Sequence, residues 1–265
     1  MARRSKGKTR SILKKEHSSP GTIAWRVIRA SDTVAGRLLL LPFGGGTEFA
    51  YDSTLPFLNP SLEVYCAKLP GRPHFQKMCP FNSMTEIAAF LVDYLPEDEV
   101  PTVLFGHSFG ALLGYEFALL MSQSRRNSIR KFIASCGQPP TQTSTTAGHK
   151  KPISSLGDAE FIAAILAYGG ISEADLAEEA VREFVVAVLR HDFRLLESYV
   201  NQHGRQIDVP LQVVIARNDS SVELAVGLEW QRFSAHSFEI SEVPGDHFYF
   251  RNSPRLLAEI LNHSF

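Results

Sequence analysis

The 265-residue sequence predicts an α/β fold, with a mostly parallel central sheet flanked by helices and a helical lid inserted between two strands. Three observations carry this. Apolar runs of strand length alternate with helical patterns at both ends of the chain, and parallel strands need such crossovers. A central block of roughly 50 residues reads as helix alone and interrupts that alternation. One apolar strand also runs straight into an apolar helix through Gly106-His107-Ser108-Phe109-Gly110.

The elements follow in order. A Ser-Ser-Pro-Gly break precedes a first strand at Ile23–Val27, and Arg37–Leu41 is a continuous apolar strand ended by Pro42-Phe43-Gly44-Gly45-Gly46. Leu62–Ala67 is the next strand, followed by irregular chain over Lys68–Pro80. Met84–Leu95 places Ile87, Phe90, Leu91 and Leu95 on one helical face. Pro101–Phe105 is a strand. Phe109–Met121 is apolar on nearly all sides, as a helix buried against a sheet must be. Lys131–Ser135 returns to strand. Residues 137–151, rich in Pro, Thr, Ser and Gly, form a loop leaving the sheet. The lid patterns are Ala159–Tyr168 and Ala177–Tyr199. Leu211–Ala216 (strand), Glu223–Phe233 (helix), Ser237–Val243 (strand) and Ser253–Leu261 (helix) complete the chain. The length suits one large domain, taken here as 21–265, with the lid at about 154–201 and a separate basic tail over 1–20.

The composition is globular, with 44% hydrophobic and 21% charged residues, and excludes a mainly disordered chain. Residues 1–15 hold seven basic side chains and no acid, which leaves the rest of the chain at a net −8. One short basic tail on an acidic body is weak ground for nucleic-acid binding, and a solvated extension is the plainer reading. No stretch approaches the roughly 20 apolar residues of a membrane span. The basic N-terminus lacks the apolar core of a secretory signal. A cytoplasmic protein is expected. Cys66, Cys79 and Cys136 form no CxxC pair and no zinc spacing, so neither a metal site nor a disulfide framework is expected.

The chemistry centres on GxSxG between a strand and a helix, the setting of a nucleophile elbow. Ser108 is the candidate nucleophile. A serine hydroxyl needs a base, and in this arrangement the partners follow in the order serine, acid, histidine. Of the later histidines only His247 lies after a late strand and before the terminal helix. Asp219 lies at the end of the preceding strand, where it could hold the imidazole. Asp246 sits beside His247 but in its own turn, and Asp208 lies at the wrong end of its strand. The oxyanion donors would be the Phe109 N–H and a second N–H from the loop after the early strand, that of Gly44 or Phe43.

The chain resembles the type II (external, editing) thioesterases of polyketide and nonribosomal peptide synthesis, of the α/β-hydrolase superfamily. The stretches that carry this are LLLLPFGGG at 38–46, KLPGRPHF at 68–75, LFGHSFGALLGYEFA at 104–118, SCGQPP at 135–140, AYGGI at 167–171, LRHDFRLLESY at 189–199 and GDHFYF at 245–250. The resemblance implies hydrolysis of acyl thioesters held on the phosphopantetheine arm of an acyl or peptidyl carrier protein, with small acyl thioesters as further substrates. It matches Ser108 to the nucleophile, His247 to the base and Asp219 to the acid. It implies no cofactor, since the phosphopantetheine belongs to the substrate carrier, no nucleic-acid or membrane partner, and a monomer. One departure is Gly44, where the family usually has Ala. A fatty-acyl thioesterase or carboxylesterase on the same fold, and a binding module without activity, stay open. Val181, Phe184, Val188 and Phe193 are expected to line or cover an acyl channel. Arg125, Arg126, Arg130 and Lys131, or Lys150 and Lys151, are candidates to meet an acidic carrier.

Overall fold

A computed structural model describes residues 21–30, 34–72, 81–121, 129–141, 151–201 and 204–265. The basic tail, Cys79, His149, His203, Arg125, Arg126 and Lys150 lie outside the described residues.

Seven strands form one sheet: β1 (Trp25–Arg29), β2 (Gly36–Leu41), β3 (Leu62–Ala67), β4 (Thr102–His107), β5 (Ile129–Ser135), β6 (Leu211–Ala216) and β7 (Phe238–Val243). Their order is β1-β3-β2-β4-β5-β6-β7, with β1 antiparallel to β3 and every other pair parallel. Among the described residues the longer helices that accompany them are α1 (Met84–Asp93), α2 (Phe109–Leu120), α3 (Asp158–Ala167), α4 (Glu179–Glu197), α5 (Leu224–Leu228) and α6 (Pro254–Asn262), with single helical turns at Gly21–Ala24 and Tyr249–Asn252.

Alternation along the strands builds two cores. Leu39, Leu41 and Leu104 face α1 and α2, while Leu38, Leu40, Val103 and Phe105 face the layer that contains α6. Both faces are covered, so β2 and β4 are buried at every position. The lid helices carry a third small core of Ile153, Phe161, Ala164, Ile165 and Leu176.

Three boundaries differ from the sequence reading. The first strand starts at Trp25, after a helical turn at Gly21–Ala24, because the buried Trp25 indole donates to Leu91 O at 3.1 Å and its backbone pairs with Ala67. The strand β4 runs on through Gly106 and His107, which pair with Leu41 and Ser135. The helix expected over Glu223–Phe233 is α5 followed by a tighter 3-10 segment, Glu229–Phe233.

The strand order sets the site. From β2 the chain steps outward to β3, then crosses to β4 on the other side of β2. The direction reverses between β2 and β4, and such sheets open a crevice at the carboxyl ends of those strands. The loops leaving β2 and β4 are the glycine run 44–46 and the elbow at Ser108.

Candidate active site

The elbow is fixed by exclusion. Ser108 holds φ 55° and ψ −115°, a strained conformation for a residue with a side chain. A Cβ on Gly106 would stand 2.0 Å from Gly110 O, and one on Gly110 would stand 2.3 Å from Leu41 O. Only glycine lets strand, turn and helix approach this closely. Every residue from Phe109 to Leu119 is buried. Ser108 itself stays part-exposed, on a cavity of about 270 Å³.

His247 borders the same cavity. Its Nδ1 is 2.7 Å from Asp219 Oδ2, in a pair whose members are each 6% exposed. Asp219 follows β6 and lies behind the imidazole. Its other oxygen, Oδ1, accepts from Ser221 N at 2.8 Å and Ser221 Oγ at 2.5 Å. Burial alone would raise the Asp219 carboxyl, but the bonds from His247 and Ser221 outweigh it and hold the group below its ordinary value. Asp246 accepts from Phe248 N at 3.0 Å, which closes its own turn. Asp208 is exposed, ahead of β6.

Phe43, Gly44 and Phe109 also border the cavity, so all the expected site residues except the recessed Asp219 face one space. A Cβ on Gly44 would meet Phe109 Cβ at 3.8 Å and Asp192 at 3.9 Å, ordinary contact distances. The departure at Gly44 therefore leaves the loop's setting unchanged.

Three neighbours were not singled out by sequence reasoning as parts of the site. His107 is fully buried against the His247 ring, with centroids 5.0 Å apart, and its Nδ1 is 3.1 Å from Ser135 Oγ. Burial and the nearby His247 hold its pKa well below the usual histidine value, so it stays neutral beneath the pair. Cys136 is buried, and burial with the Asp219 charge pushes its thiol far up, which leaves no thiolate to act as nucleophile. Cys136, Asp219 and His247 bring three potential ligand atoms within 4.8 Å of one another. Here the carboxylate and imidazole bond each other and the thiol is protonated, an arrangement suited to hydrogen bonding. Gln138, from the SCGQPP stretch, donates to Ser221 O at 2.9 Å and so braces the acid loop.

The lid closes the cavity with Ile165, Tyr168, Val185, Leu189, Phe193 and Leu196. Phe193 lies where the expected stripe placed it, and the other three members do not. Val181 and Phe184 point outward at 39% and 36% exposure, and Val188 is buried without lining the cavity. The cavity-facing row of α4 is Val185, Leu189, Asp192, Phe193, Leu196 and Glu197, whose helical spacing matches an inward face. Of the two acids in that row, Asp192 is 2% exposed and meets Arg72, itself 3% exposed. Of the basic candidates, Lys131 is already paired, at 3.4 Å from Glu239. Among the described residues, no helix is long and apolar enough to cross a membrane.

Comparison with known proteins places the chain in a family. The chain is 25% identical over 227 residues to the gramicidin S biosynthesis protein GrsT of Aneurinibacillus migulanus, covering 85% of this chain and 87% of that one. RedJ, a thioesterase from the prodiginine pathway of Streptomyces coelicolor, superposes with a TM-score of 0.76 at 27% identity, over 88% of this chain and 86% of that one. YbtT, a type II thioesterase from the yersiniabactin pathway, superposes with a TM-score of 0.79 at 22% identity, over 91% and 98%. The α/β-hydrolase fold and the type II resemblance are borne out. The model of the family described as "Thioesterase domain" matches residues 36–265, and the chain belongs to that family, as a hydrolase of thioesters.

Proposed function

We propose that this protein releases acyl groups from the phosphopantetheine arm of carrier proteins, as an editing type II thioesterase of nonribosomal peptide or polyketide synthesis. The observation that carries this is His247, backed by the buried Asp219, placed with the strained Ser108 at the wall of one largely apolar cavity. The names of GrsT, RedJ and YbtT support the pathway class.

In this route Asp219 accepts from the Nδ1–H of His247, leaving Nε2 as the base. His247 takes the Ser108 proton as Oγ attacks the thioester carbonyl. The oxyanion is met by the Phe109 N–H and by that of Gly44 or Phe43; losing one such donor typically costs about 3 kcal/mol. The carbon–sulfur bond breaks, and His247 gives its proton to the leaving thiol. Water then loses a proton to His247 and attacks the Ser108 ester; the bond from Oγ to the acyl carbon breaks, His247 returns the proton to Ser108 Oγ, and the acid is released. The sequence of steps uses no metal or nucleotide. The enzyme acts in the cytoplasm as a monomer, over a domain at 21–265.

A panel of acylated carrier proteins, acyl-CoA thioesters and simple esters tests the reading, with intact-mass readout. The expected order of kcat/KM is carrier first and simple ester last. Preference for free acyl-CoA or for esters would replace the carrier reading with a fatty-acyl thioesterase or carboxylesterase. Within the panel, Asp219→Asn should lower turnover by about 10⁴, and Asp246→Asn by no more than a few-fold. The reverse order would move the acid to Asp246.

A further inference from the structure

Two stretches picked out by the sequence, LPGR at 69–72 and the lid-helix run 189–199, meet at a buried contact that the proposed reaction does not use. Asp192 Oδ1 accepts from Arg72 Nη1 at 3.0 Å, and Oδ2 accepts from Arg72 Nη2 at 2.6 Å. The same Oδ2 accepts from the backbone N–H of Gly45 at 2.7 Å. Arg72 in turn donates to Gly46 O at 3.1 Å and to Pro70 O at 3.0 Å. The glycine loop is thereby held on both sides, by its N–H at Gly45 and its carbonyl at Gly46. Gly45 has φ +76°, and a Cβ there would stand 2.7 Å from Leu189 of the same lid helix. The loop is thus seated against α4 by one charged anchor and one close approach.

We infer that Asp192 and Arg72 are positioning residues that fix the Gly44–Gly46 loop for oxyanion binding, so that the placement of the lid helix sets the catalytic competence of the β2 loop. This inference rests on the proposed acyl-enzyme route. Gly44, one candidate second donor, is the immediate neighbour of the anchored Gly45. Among the described residues no acceptor holds the Gly44 or Phe109 N–H, so the loop's direction decides where the Gly44 N–H points. A bidentate guanidinium–carboxylate pair fixes direction as well as distance, and a displacement of about 1 Å in such a group can cost about 10² in rate.

The test separates positioning from stability. Asp192→Asn keeps the volume and one acceptor but loses the charge. Arg72→Met with Asp192→Leu removes the pair without leaving a buried charge unpaired. For the double variant kcat should fall by about 100-fold with KM little changed, and for Asp192→Asn by a smaller factor. A trifluoromethyl ketone analogue, which adds Ser108 as an oxyanionic hemiketal, should weaken by the same factor as kcat. A non-hydrolysable thioether mimic should bind as in wild type. Unchanged kcat in both folded variants, or equal weakening of ketone and thioether, would overturn the inference. The wild-type protein gives a reading free of mutation. The Gly45 amide should exchange with solvent slowly although it lies in a loop, and exchange at the rate of an open loop would also overturn it. That amide rate does not depend on turnover. If wild type fails to hydrolyse acyl thioesters while Gly45 stays protected, the functional reading fails and the clamp remains as structure.

Discussion

The elbow and the lid hold their parts of the site in different ways. At the elbow the constraint is steric. Gly106 and Gly110 leave no room for a methyl group, α2 is buried over nearly its whole length, and Ser108 takes the one backbone conformation that this packing leaves. The lid has its own small core and meets the body both through apolar packing of Leu195, Leu196 and Tyr199 on the main core and through polar ties: Asp192 to Arg72 and Gly45, Tyr199 Oη to Glu116 at 2.5 Å, and Arg251 to Gly170 O. A turn locked by close contact on every side tolerates little change. A lid tied by a few polar bonds and a limited apolar contact can be loosened stepwise.

The same chemical change should therefore have opposite outcomes in the two regions. Gly110→Ala forces a methyl group against the Leu41 carbonyl and should destabilise the protein by about 3 kcal/mol. Gly157→Ala, where a Cβ meets nothing within 4 Å, should change stability by no more than about 0.5 kcal/mol. Urea unfolding of both variants checks this, and equal effects would break the comparison.

Amide exchange sharpens it further. Helix α3 belongs to the lid's small core, so its amides should exchange through an opening well below the free energy of global unfolding. The amides of α2 should require global unfolding. Equal, slow exchange in both helices would make the lid part of the rigid body.

The smallest effect is in pH dependence. The fully buried His107 and the half-buried His191 both have pKa values lowered, chiefly by burial. A depressed histidine refuses the proton that the unfolded chain accepts. Its contribution is present above the ordinary value near pH 6.5 and is lost as pH falls, by up to about 1.4 kcal/mol per pH unit for the fully buried His107 and by less for His191, which solvent screens. His107→Gln should flatten the loss of stability between about pH 6.5 and about pH 5, and His191→Gln should flatten it less. A larger effect from His191 would place the more costly burial in the lid.

Much of this was readable from residues. Apolar runs of strand length located the strands, and GxSxG between an apolar strand and an apolar helix located the elbow. Chain order and strand ends singled out His247 and Asp219, and the structure brings the two within hydrogen-bond distance. The lid row was misread because Val181, Phe184 and Val188 share helical spacing with the true inward face. Spacing gives a face but not which neighbour it meets. The signal in the sequence is Asp192, an acid set between the apolar Leu189, Phe193 and Leu196 of that row. Its partner Arg72 lies 120 positions earlier, and no local pattern links such a pair. Cys136 beside Asp219 was hidden for the same reason, since β5 and β6 are neighbours only through the sheet.

The central claim is that the strained Ser108 carries the acyl group between the two halves of the reaction. Rapid quench of the enzyme with an acylated carrier protein, followed by proteolysis and peptide mass spectrometry, tests it most directly. The account predicts a transient mass increase equal to the acyl group, confined to the peptide containing Ser108 and absent from Ser108→Ala. An adduct on another residue, or hydrolysis by Ser108→Ala at the wild-type rate, would contradict it.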